Sequence, residues 1–182
     1  DLPLSRGLGD VYKRQLQQRQ VALAIALQIA DGVAERAVEE AFSEFSADAV
    51  TGLETVFQHV CAVVQDPRLE RDVCLRVCDF QESRELNRTY RGRDNPTNIL
   101  SFSAGDTAGA DVPLGDLALC WPVAVAEAEQ QQKTLGHHIV HLCVHGLLHL
   151  LDYDHVEDIK AVSMEAMETR ILADLGVADP YG

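Results

Sequence analysis

His145-Gly146-Leu147-Leu148-His149-Leu150-Leu151-Asp152-Tyr153-Asp154-His155 is the stretch on which the fold and chemistry of this chain turn. It closes a run from Thr134 to Leu150 that has helical character and is rich in histidine. Residues four apart on a helix project from one face, one above another. His141, His145 and His149 therefore line up, and His145 and His149 can grip one metal ion from adjacent turns. His155 follows after the helix must end, and a turn through Leu151-Asp152-Tyr153 could return it as a third ligand. The pattern is H-x3-H-x5-H.

Three neutral imidazoles leave one position of a tetrahedral zinc open, which marks a catalytic site, whereas a structural site closes with a fourth ligand. Cys143 is the only nearby thiol, and two residues rotate about 200° on a helix, so it points away from His145. Imidazole also suits copper, iron and nickel, so zinc (one ion) is an inference from ligand type. His141, one turn earlier, is either a base or substrate contact or a residue that packs and hydrogen-bonds. His137 and His138 carry no assigned role. In the common zinc proteases a Glu follows the first ligand and acts as general base. Here that position is Gly146, which moves a peptidase from first choice to alternative.

Working outward, the 182 residues suffice for one domain with a full core. Asp1 to Gln15 shows no clear period and is expected to be a foreign or disordered leader, with a single domain over 16–182. Val21 to Ile29 is short and apolar, a buried strand or a helix. Asp31 to Ala47 and Thr51 to Val64 have helical spacing, the second stopped by Asp66-Pro67. Val73 to Cys78 alternates as a strand does. Gln81 to Arg91 is a polar helix ended by Gly92. Asn98 to Ser103 and Leu114 to Cys120 are strands separated by a small-residue loop, and Pro122 suits the first turn of a helix. Val156 to Leu175 is the last helix, with Met164, Met167, Ile171 and Leu175 on one stripe. This order predicts an α+β fold: a small mixed sheet of about four strands covered by helices, with a three-His zinc site at the end of a helix.

Five cysteines without a C-x-x-C pair argue against a disulfide framework or a zinc ribbon. No apolar run has the length of a membrane span, and no secretory signal is evident, so a soluble cytoplasmic protein is expected. The net charge of −14 opposes broad adhesion to nucleic acid, which relies on Lys and Arg displacing counterions. A nucleic-acid enzyme of this composition must concentrate its positive charge locally.

The histidine stretch resembles the H-G-x-L-H-L-x-G-Y-D-H signature of the YbeY endoribonucleases. Two further blocks agree: Leu86-Asn87-Arg88-Thr89-Tyr90-Arg91-Gly92-Arg93-Asp94 leading into Pro96-Thr97-Asn98-Ile99-Leu100-Ser101-Phe102, and Leu114-Gly115-Asp116-Leu117. The ending Asp179-Pro180-Tyr181 also fits, so the resemblance runs from about Gln20 onward. One departure stands out: Asp152 occupies a position that is usually Gly, where a left-handed backbone is expected.

The resemblance implies a zinc-dependent endoribonuclease specific for single strands, acting in 16S rRNA 3′-end maturation and ribosome quality control. It implies as partners a 16S rRNA precursor, the ribosome or small-subunit proteins, and an assembly GTPase. Arg91 aligns with the family's functional arginine and is expected to hold the scissile phosphate. Arg88 and Arg93 are RNA-binding candidates beside it. Arg84, Arg88 and Arg91 share a helix face, and for Arg84 and Arg88 a solvated face balanced by Glu82 and Glu85 is the expectation. Asp116 either orients a ligand histidine or a water, or caps a turn; Asn98 and Ser101 are further candidates. The general base is unassigned. Two alternatives stay open: a zinc metallopeptidase-like hydrolase, and a non-catalytic ribosome-assembly factor with a structural zinc.

Overall fold

Alternation and helical spacing translate directly into elements. A computed structural model describes residues 25–43, 45, 49–105, 112–153 and 158–182. The expected leader over residues 1–15 and the expected third metal ligand, His155, lie outside these. In chain order come β1 (Ile25–Ile29), α1 (Glu35–Phe42), α2 (Ala49–Val64), a 3-10 turn (Pro67–Glu70), β2 (Val73–Cys78) and α3 (Phe80–Arg91). They are followed by β3 (Ile99–Ser103), β4 (Gly115–Cys120), α4 (Trp121–Gln130), α5 (Leu135–Leu150) and α6 (Asp158–Asp174). Of the short apolar run Val21 to Ile29, open between strand and helix from its pattern, the described part, Ile25–Ile29, is a strand. Among the described residues the architecture is α+β with one four-stranded sheet, ordered β1-β2-β4-β3. β1, β2 and β4 run parallel, and β3 is antiparallel to β4.

Caps set where the helices begin and end. The Asp79 side chain accepts from the Glu82 backbone N–H at the start of α3, and Gly92, at φ 68°, turns the chain away at its end. Thr134 accepts from the His137 N–H at the start of α5. Such caps satisfy backbone groups that the helix itself leaves unpaired.

The sheet alternates its side chains between two faces. Leu75, Val77, Leu117 and Leu119 belong to the main core, which also takes in α2 and α5. Cys78, Leu100, Phe102, Ala118 and Cys120 form a second cluster, with Leu86 of α3 packed against it. Register pairs Asp116 with Cys74 and Phe102, on the face away from Leu117. Among the described residues, no helix is long and apolar enough to cross a membrane.

α5 approaches the sheet very closely. A Cβ on Gly146 would lie 2.9 Å from Leu117 Cδ2 and 3.0 Å from Ile99 Cδ1. A Cβ on Gly115 would lie 2.5 Å from the Phe102 carbonyl oxygen and 2.6 Å from Leu150 Cδ2. The hydroxyls of Ser101 and Ser103 reach across this gap and donate to the carbonyls of Gly146 (3.0 Å) and Leu150 (3.3 Å).

The Phe102 carbonyl belongs to a paired strand and cannot move aside. Gly115→Ala is therefore expected to lower unfolding free energy by about 1–3 kcal/mol, the usual cost of overpacking. Chemical denaturation measures this, and an unchanged midpoint would show that the sheet and α5 are not held at this separation.

Candidate metal centre and cleft

Burial sorts the histidines of α5. From Gly136 onward every residue of this helix is buried except His137, His141, His145 and His149, one per turn. The helix is walled in on three sides and presents a single stripe of imidazoles. His138 lies off that stripe: it is 3% exposed and its Nε2 meets Glu127 Oε2 at 2.8 Å. Glu127 also accepts from Asn98 Nδ2.

Along the stripe, His145 is gripped at both ring nitrogens. Its Nδ1 lies 2.7 Å from Glu168 Oε1, a carboxylate with no exposed surface. A carboxylate only accepts, so Nδ1 carries the proton and Nε2 is the nitrogen turned outward. That Nε2 lies 3.1 Å from His149 Nε2. Two nitrogen ligands on a tetrahedral zinc at about 2.05 Å stand about 3.3 Å apart, so this pair fits one ion with little rearrangement. His155, the third expected ligand, lies outside the described residues.

Glu168 is the residue that sequence reasoning missed. It sits within the apolar stripe of α6, four residues after Met164. Burial pushes its carboxyl up, but hydrogen bonds from His145 and Tyr181, with the neighbouring histidines, hold it below the ordinary range. Tyr181, near the chain's end, donates its hydroxyl to Glu168. Burial, and then this carboxylate, push the Tyr181 hydroxyl up. A charged residue within a helix's buried stripe was the available signal.

His141 joins the same group. With His145 and Glu168 it offers ligand atoms within 4.8 Å of one another, a set able to hold a metal ion. Its Nε2 is 4.0 Å from Glu168 Oε1, and burial pushes its pKa down to about 4. The ring is neutral at ordinary pH, and neither nitrogen has a hydrogen-bond partner. The 2.7 Å contact between His145 and Glu168 is, however, a normal charge-assisted hydrogen bond. Glu168 is thus read here as the group that orients His145, the arrangement common behind metal-bound imidazoles. The outer edge, shared by His145 and His149, faces the open space.

That space is a polar cleft of about 700 Å³, walled by His145, His149, Asp152, Arg91, Arg93 and Ser101 among others. Arg91 Nη2 donates to the Ser101 carbonyl at 2.9 Å, while the Ser101 hydroxyl holds the carbonyl of Gly146. One serine of β3 therefore links the arginine to the histidine helix. Asn98 also lines the cleft.

Other expected residues fall elsewhere. Arg84 and Arg88 line a separate groove with Phe80. Arg84 is bound to Asp94 (2.8 Å) and not to Glu82 or Glu85; Glu82 pairs with Arg76. Seven residues of helix carry Arg84 about 10 Å along the axis from Arg91, so a shared face does not mean a shared groove. Asp116 is fully buried on the sheet face away from α5, and it does not reach the histidines.

Asp152 has φ 64°, the left-handed conformation expected at this position. The Tyr153 N–H bonds to the Leu148 carbonyl and the Asp152 N–H to the His149 carbonyl, a Schellman ending to α5.

Comparison with known proteins places the chain in a family. The family model described as Endoribonuclease YbeY matches residues 37–176. A curated Endoribonuclease YbeY from Stenotrophomonas maltophilia (strain R551-3) is 49% identical over 127 residues, covering 67% of this chain and 79% of that protein. A Thermotoga maritima protein solved in solution shares the fold at TM-score 0.52 and 23% identity, over 84% of this chain and 89% of that one. The chain belongs to the YbeY endoribonuclease family.

Proposed function

We propose that this protein is a zinc-dependent endoribonuclease that hydrolyses phosphodiesters of single-stranded RNA. Its place, on this reading, is 16S rRNA 3′-end maturation and ribosome quality control in the cytoplasm. Ribosomal small-subunit proteins and an assembly GTPase are the partners that family resemblance suggests. The observation that carries the reading is the convergence of His145 and His149 Nε2 atoms on a polar cleft that also holds Arg91.

His145, His149 and, from the sequence pattern, His155 would hold the zinc. Bound zinc supplies Lewis acidity and activates water near neutral pH. Glu168 keeps the proton on His145 Nδ1, so the Nε2 lone pair stays available to the cleft. Arg91 offers a planar pair of N–H donors to non-bridging phosphate oxygens, where charge builds as the ester is attacked. The Ser101 carbonyl holds that guanidinium against the cleft wall. Arg93 adds a second positive charge for the neighbouring backbone of the strand. Arg88, in the other groove, has no place in this step.

The peptidase alternative loses further support from Gly146. That position faces the sheet, where even a Cβ would meet Leu117 and Ile99, so a general base has no room there. A purely structural zinc fits poorly with an imidazole pair that opens onto a cleft.

Three measurements test this. His145→Ala and His149→Ala are expected to lose bound metal and RNA cleavage together, because two imidazoles hold zinc poorly; unchanged metal stoichiometry would overturn the site. Glu168→Gln is expected to weaken zinc binding about 10–100-fold while the chain stays folded, the usual effect of losing a carboxylate behind a ligand histidine. Zinc titration at wild-type affinity would remove Glu168 from that role. Arg91→Ala and Arg91→Lys are expected to keep zinc and melting temperature and to lose about 10²–10³ in cleavage rate. Lys fails because it offers a point charge in place of a fork. Arg84→Ala, tied to Asp94 outside the cleft, should keep most activity. Wild-type cleavage by Arg91→Ala would refute the assignment.

A further inference from the structure

We propose that Arg68 is a positioning residue for the metal centre: it clamps the turn after the histidine helix through the Asp152 carboxylate and the Leu151 carbonyl. The proposal rests on the reading that His145 and His149 bind the metal.

Arg68 lies in the 3-10 turn that follows α2, far from the histidines in sequence. Its guanidinium is fixed from its own side by Asp66, with Nε at 3.1 Å from Oδ1 and Nη2 at 2.8 Å from Oδ2. Asp66 is itself pinned, since Oδ1 also accepts the Arg68 backbone N–H at 2.8 Å. The hydrogen bonds from Arg68 hold the Asp66 carboxyl below the usual range, so it stays ionised. The same fork then reaches across the molecule. Nη1 donates to Asp152 Oδ2 at 2.7 Å, and Nη2 donates to the Leu151 carbonyl at 3.1 Å.

Both acceptors sit at the point where α5 stops. Leu151 caps the helix, and Asp152 is the left-handed residue that turns the chain out of it. A non-glycine residue in this conformation is strained, and it persists where surroundings hold it. The Asp152 side chain also lines the cleft beside His149. The chain leaving this turn goes on to His155 three residues later. Fixing Asp152 therefore fixes the end of the histidine helix and the part of the cleft wall next to His149, and it does so before the metal binds. Ordering in advance removes a cost that metal binding would otherwise bear. The guanidinium also places positive charge at the carbonyl end of α5, where the helix dipole favours it.

The alternative is an ordinary surface ion pair. The Asp152 side chain is 59% exposed, and pairs this open contribute little to folding. The two accounts differ in what they move: an ordinary pair changes stability slightly and metal affinity not at all.

The test titrates zinc into the metal-stripped full chain against a chelating dye, with the cobalt absorption spectrum as a second readout. Asp152→Asn keeps tolerance of the left-handed backbone and removes the charge. Asp152→Gly frees the backbone and removes the tie. Arg68→Ala removes the clamp from the other side. Each is expected to weaken zinc binding about 10-fold or more, with little change in the melting temperature of the metal-free protein. The double variant Arg68→Ala with Asp152→Asn should be no weaker than the worse single one, and Arg68→Lys should recover part of the loss. Wild-type zinc affinity in the single variants, or losses that add in full in the double one, would overturn the clamp. If the wild type binds no zinc, or His145→Ala binds it normally, the metal reading fails and takes the clamp with it.

Discussion

α5 lies so close to the sheet that Gly146 and Gly115 have no space for side chains, and the candidate site depends on that approach. The contact buries the helix on every side but one. What is left is a stripe one residue wide, and that stripe is histidine at each turn. The same closeness brings β3 within hydrogen-bond reach of the helix carbonyls, through Ser101 and Ser103. Since the Ser101 carbonyl also holds Arg91, the spacing between helix and sheet sets the distance from guanidinium to imidazoles. A wider gap would leave the motif intact in sequence and spread its chemistry apart in space.

The polar groups around His145 are ordered in depth. Glu168 is fully buried, takes the inner nitrogen of His145 and is itself held by Tyr181. A buried carboxylate is costly unless bonded and paired, and here its partners are the histidine and a phenol from the end of the chain. The outer nitrogen is left facing His149 and the cleft. His141, half-buried and kept neutral, packs its ring between His145 and Tyr181. The inner layer fixes tautomer and tilt, and the outer layer faces the cleft.

Much of this was legible in local pattern. Period-two alternation marked β2, and i, i+4 spacing aligned His145 with His149, because those signals depend on neighbours within a few residues. The left-handed backbone at Asp152 followed from its place just past a helix end. What local pattern hides is pairing across the chain. Arg68 and Asp152 meet only because the end of α2 packs beside the end of α5. Glu168 interrupts the apolar stripe of α6 in sequence, but its partners, His145 on α5 and Tyr181, do not show there. Arg84 and Arg91 share a helix face, yet axial distance, which a helical wheel flattens, puts them in different grooves. Asp116 belongs to a sequence block of the family, but strand alternation turns it to the far side of the sheet from its neighbour Leu117.

Charge can now be weighed by position. Of the four arginines between residues 84 and 93, one is neutralised by Asp94 and another stands in a separate groove. Arg91 and Arg93 are left in the cleft of a chain whose net charge is −14. Two cations release few counterions from a nucleic acid, so the gain from phosphate contacts alone is small, and the surrounding negative charge works against it. On the proposed reading, binding along the length of an RNA is weak by construction, and affinity has to come from the few nucleotides that enter the cleft. A duplex presents its phosphates on a stiff surface and cannot thread its backbone between Arg91 and the imidazoles without unpairing. A single strand can bend its backbone into that gap. The scarcity of positive charge, at first an objection to any role on RNA, thus becomes a reason for preferring the flexible form of the substrate.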